Sequence, residues 1–98
     1  MGNLHYGSPP ASFDMPDRTL AHVEFVVLAK LRRKESFALS IESPTGGRQQ
    51  IWINGAATLR FEFDTNVTDI NRAWLEVLID SANSAGGMRL TPEPERAG

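Results

Sequence analysis

Between residues 34 and 37 the apolar period of this chain changes from about 3.6 residues to about 2. That change limits the fold more than any other feature, because one side of it must coil and the other must extend. Upstream, Leu20, Val23, Val27, Leu28 and Leu31 fall on one helical sector over residues 18–34. Pro16-Asp17 supplies the start signal, with Asp17 as the expected N-cap. Downstream, Phe37, Leu39 and Ile41 alternate with Ala38, Ser40 and Glu42, the pattern of a half-buried strand.

The strand pattern continues. Residues 48–53 turn Ile51 and Ile53 inward and Gln50 and Trp52 outward, and residues 58–63 turn Leu59, Phe61 and Phe63 inward. Asn54-Gly55 between them reads as a hairpin turn, and residues 43–47 as a loop. A second helix is expected over residues 70–84, with Thr68 or Asp69 as N-cap and Gly86-Gly87 as a left-handed stop. Ahead of the first helix, residues 4–6 and 12–15 flank Gly7-Ser8-Pro9-Pro10, which suggests a further hairpin. Residues 88–90 offer one last short strand.

The expected order is therefore ββ-α-βββ-α-(β). Strands that alternate on one face predict an α+β fold: an antiparallel sheet of five or six strands with both helices on its apolar side. A chain of 98 residues suits one domain, placed over residues 1–90. The Pro-rich, charged stretch 91–98 reads as a disordered tail.

Two surfaces stand out. Phe25, Val26 and Ala29 lie nearly opposite the main stripe of the first helix, and a helix that is apolar on both sides needs a second cover. Either the second helix covers them or they are a candidate face for self-association. Four of the ten basic residues, Lys30, Arg32, Arg33 and Lys34, crowd the end of the same helix. Cations there complement the helix dipole, and Arg32, Arg33 and Lys34 are also candidate contacts for an acidic protein or a phosphate backbone. Trp52 on an open sheet face, with Arg60 nearby in the pattern, could anchor a partner or stack on a base.

Recognised chemical motifs are sparse. Without cysteine there is no disulfide, thiolate metal site or cysteine nucleophile. The two histidines, His5 and His22, show no metal-ligand spacing, so no metal or cofactor is expected. Phosphate-cradling GxxxxGK[ST], dinucleotide-binding GxGxxG and the serine-nucleophile GxSxG are all missing. A net charge of −2 argues against a dedicated nucleic-acid binder. The opening residues show no secretory pattern, and the apolar run 25–29 is too short for a membrane span; a cytoplasmic location is the expectation.

LHYGS near the start, DRTLAHV and KLRRKESF at the two ends of the first helix, and NRAWLEVLIDSANSAGG in the second carry a resemblance. With these stretches the chain resembles a family of small actinobacterial proteins of unknown function, whose members often carry the automatic name "ATP-dependent DNA ligase". That name implies a lysyl-nucleotide formed in a Lys-x-Asp-Gly setting. Here Lys30 is followed by Leu31-Arg32-Arg33 and Lys34 by Glu35-Ser36-Phe37, and the resemblance brings no catalytic residues. The residues point to a non-catalytic interaction module, with a second copy of itself or another protein as partner. The alternative is a nucleic-acid-associated accessory protein using the basic end of the first helix.

Overall fold

The computed structural model describes residues 1–7, 11–42, 46–56 and 58–95. In chain order the elements are strands β1 (Gly2–Tyr6) and β2 (Ala11–Met15), helix α1 (Asp17–Arg32), strands β3 (Phe37–Glu42), β4 (Arg48–Ile53) and β5 (Leu59–Glu62), helix α2 (Arg72–Ala82) and strand β6 (Met88–Arg89). The fold is α+β, in the order that the periodicity predicts. The expected turn residues 8–10 and 43–45, and the tail residues 96–98, lie outside the described residues.

The strands divide into two three-stranded sheets, β2-β1-β5 and β4-β3-β6, rather than one antiparallel sheet. The division follows from Asn54-Gly55, which is not a hairpin turn. The Gly55 N–H donates to Ser36 Oγ at 2.9 Å. A Cβ on Gly55 would sit 2.6 Å from the Lys34 carbonyl oxygen. This turn is therefore wedged against the end of α1, and β5 pairs with β1 instead of β4. The register Leu4↔Phe61 and Tyr6↔Leu59 keeps the apolar side of β5 inward. Alternation is the same whichever neighbour a strand takes, so the sequence pattern is blind to this choice.

The second sheet contains a parallel pair. β3 runs antiparallel to β4, with Phe37↔Ile53, and parallel to β6, with Leu39↔Met88. A parallel neighbour needs a long crossover, which here includes β4, β5 and α2. Gly87 opens β6 with φ of 83°, and a Cβ there would lie 2.7 Å from Ala38 Cβ. Its role is close strand approach rather than the helix stop expected for it. α2 ends earlier, at Ala82, capped by Asn83 in the right-handed region.

Helix boundaries also shift. Pro16 is the N-cap of α1 and gives no side-chain cap. Asp17 accepts instead from the Asp64 and Thr65 N–H groups, at 3.3 and 2.8 Å, and from the Thr65 hydroxyl at 2.9 Å. The cap of α2 is Asn71, whose Oδ1 accepts from the Ala73 N–H at 3.1 Å. Leu20, Val23 and Val27 of α1 join Leu4, Phe37, Leu39, Ile53, Leu78 and Met88 in one core.

Candidate functional site

The basic stretch forms the end of α1, and its backbone explains its shape. The Lys34 N–H donates to Leu31 O at 2.9 Å and the Glu35 N–H to Lys30 O at 3.0 Å. These two bonds make a Schellman stop, with Lys34 in the left-handed position usually given to glycine. Its φ is 57°. Arg33 is the C-cap. Arg32, Arg33 and Lys34 are all exposed, and none forms an ion pair among the described residues.

Two hollows flank Lys30. One, of about 190 Å³, lies between the ends of α1 and α2 on an apolar floor of Val26, Ala29 and Ile79, with Arg33 at its rim. The other, of about 370 Å³, runs past Phe37 and Ala38 to Trp52. They share Lys30, Glu35 and Asn83, and the Lys30 ammonium donates to Asn83 Oδ1 between them. The result is one groove with a cationic end, an aromatic end and a hydrogen-bonded bar across its middle. Trp52 is 63% exposed.

Not every candidate residue converges there. Arg60 lies on β5 opposite His5 of β1, in the other sheet from Trp52, so Trp52 and Arg60 are not cross-strand neighbours. The doubly apolar face of α1 also splits. Val26 is 1% exposed and belongs to the core, whereas Phe25 is 52% exposed and Ala29 is exposed. Leu28, expected inward, is 40% exposed beside them. α1 packs against α2 as well as β1, which turns its buried sector toward Val26 and leaves Leu28 outside.

The other end of α1 holds a polar network that the sequence pattern missed. His22 is completely buried. Its Nδ1–H donates to Arg18 O at 2.7 Å, and Nε2 accepts from the Asn71 N–H at 2.9 Å. Since Asn71 N can only donate, the ring is the Nδ1–H tautomer. Trp74 lies against it, with centroids 4.5 Å apart. Both ring nitrogens are engaged by backbone, so the ring is a clamp between the helices.

Residues 91–95 dock on this network. Arg18 grips Glu93 with two hydrogen bonds of 2.6 Å and donates to Asp69 O at 2.9 Å. Asn71 Nδ2 donates to Glu93 Oε2 and Pro94 O, both at 2.9 Å, and Trp74 Nε1 donates to Thr91 O at 3.2 Å. The reading of residue 91 onward as a free tail does not anticipate these contacts. The Arg18 hydrogen bonds, helped by that from Asn71, hold the Glu93 carboxyl at a pKa of about 2.

Among the described residues no cluster of three or more His, Asp or Glu side chains could hold a metal, and no helix is long and apolar enough to cross a membrane. No curated protein and no solved structure matches the chain. Residues 1–93 match a family described as a domain of unknown function, DUF7882, a description that names no activity. The match covers nearly the whole chain, so this protein belongs to the DUF7882 family.

Proposed function

We propose that the chain is a small cytoplasmic protein-interaction module that binds a second copy of itself through the outer face of α1. The exposure of Phe25 and Leu28 one helical turn apart carries this reading. Glu24 and Arg32 stand four residues either side of Leu28. A two-fold antiparallel crossing at Leu28 would set each Glu24 against the Arg32 of the second copy, as an isologous contact requires. One helix face is a small interface, so the dimer forms at high micromolar concentration. Sedimentation across that range tests the reading. A concentration-dependent dimer lost in Phe25→Asp supports it, and a strict monomer overturns it.

The groove favours a second reading, a nucleic-acid-associated accessory protein. It places Lys30 and Arg33 on the same channel as Trp52, which suits a backbone phosphate and a stacked base. Binding to single-stranded DNA would then fall steeply with salt and weaken in Arg33→Glu. An absence of binding at low salt removes this reading.

A further inference from the structure

The outer face of the β2-β1-β5 sheet carries an ordered row of polar groups that neither reading uses. His5 stands opposite Ser12 on one side and Arg60 on the other. Its Nδ1 is 2.8 Å from Ser12 Oγ, and its Nε2 is 3.0 Å from Glu62 Oε1. Arg60 NH2 is 3.5 Å from the same Nε2 and 3.6 Å from Glu62 Oε1.

These distances select a tautomer. A carboxylate can only accept, so the shorter contact to Glu62 places the proton on Nε2. The longer Arg60 contact is at the limit for a hydrogen bond and does not compete. In the neutral ring Nδ1 is then the acceptor, and the hydrogen it meets is that of Ser12. A carboxylate that orients an imidazole, and an imidazole that accepts from a hydroxyl, is the arrangement that activates a serine. The two ring nitrogens are exchanged relative to the chymotrypsin arrangement. Ser12 is exposed and the His5 side chain is mostly covered. The nucleophile is thus open to a reagent while its base is held in place.

We propose that Ser12 is an activated nucleophile, with His5 as its base and Glu62 as the positioning residue, and that it accepts acyl groups from activated esters. In the step, Ser12 Oγ bonds to the acyl carbon as its proton passes to His5 Nδ1. The bond from that carbon to the leaving oxygen breaks, and the imidazolium returns the proton to the leaving alkoxide or phenoxide. The product is an acyl-serine, with no change of oxidation state. Arg60 stands two strands over from Ser12, with its NH2 3.5 Å from the far nitrogen of the His5 ring. It is placed to hold a negative group on the distal part of an ester, so anionic esters are the favoured class.

The test is the full chain treated with 4-nitrophenyl acetate and, separately, with a fluorophosphonate probe, followed by peptide mapping. The expected results are one equivalent of nitrophenol released in a burst and both adducts on Ser12. A general base contributes about 100-fold or more, so His5→Gln slows the burst by about that factor, while Ser12→Ala, which lacks the nucleophile, abolishes it. Glu62→Gln slows it by about tenfold, with partial recovery in Glu62→Asp and an unchanged circular dichroism spectrum. A burst of equal rate in Ser12→Ala, acylation of another residue, or no reaction above that of free imidazole overturns the proposal.

Discussion

The two ends of α1 treat their polar side chains in opposite ways. At the start, Arg18 and His22 are spent on partners far away in sequence: Asp69, Asn71 and Glu93. At the finish, Arg32, Arg33 and Lys34 stand in water with no ion partner among the described residues. Both ends are equally polar in composition. Burial separates them, because a polar group removed from water must be paired or it costs stability. A dense polar cluster therefore marks architecture at one end of this helix, and an unspent one marks a solvated surface at the other.

The largest effect that would break this comparison is expected at His22. His22→Ala leaves the Asn71 N–H without its acceptor and opens a hole beside Trp74. A loss of about 3 kcal/mol is expected, or roughly 12–24 °C in melting temperature for a domain of this size. Thermal unfolding followed by circular dichroism measures it. A loss below about 1 kcal/mol would mean that the clamp is not structural.

A smaller but local effect is expected from acid. The folded pKa of Glu93 is depressed from 4.5 to about 2. Its contribution to stability is therefore complete above about 4.5 and is lost as pH falls toward 2. Residues 91–95 should release first, so amide exchange there should rise between pH 4.5 and 2 while the core stays protected. Glu93→Gln should show the released state at neutral pH. Uniform exchange across the chain in either experiment would contradict a separately held strap.

At the exposed end the expected changes are smaller, and the first has the opposite sign. Lys34→Gly relieves a left-handed lysine and should stabilise the fold by about 1 kcal/mol, readable in a denaturant titration. Arg33→Ala should alter stability by less than about 0.5 kcal/mol. If Arg33→Ala destabilises the fold as strongly as His22→Ala, the contrast between the two ends collapses.

Much of the fold was legible because its signals are local. The change of period at Glu35-Ser36 lies where α1 gives way to β3, and the inward set Leu39, Ile53 and Phe61 follows from alternation alone. The basic end of α1 was legible too, since it is a run in the sequence. Phe25 and Val26 fall on one face by angle counting, which cannot tell how much of that face a neighbouring helix covers; the structure buries Val26 and leaves Phe25 exposed. Asn54-Gly55 looked like a hairpin because its dipeptide chemistry fits one, while the wedge against Lys34 comes from another part of the chain. The Ser12–His5–Glu62 row had no signature at all. Its members are brought together by strand register across 57 positions.

The sequence by itself determined the order of elements and which side of each strand turns inward, because periodicity is imposed by each segment's own backbone geometry. The tertiary structure decided which strands pair, which face of α1 is left bare and which polar residues are spent. The Arg18–Glu93 and His22–Asn71 contacts span 75 and 49 positions. No local pattern encodes such pairs. They arise when the core closes and the remaining polar groups must find partners or stay in water.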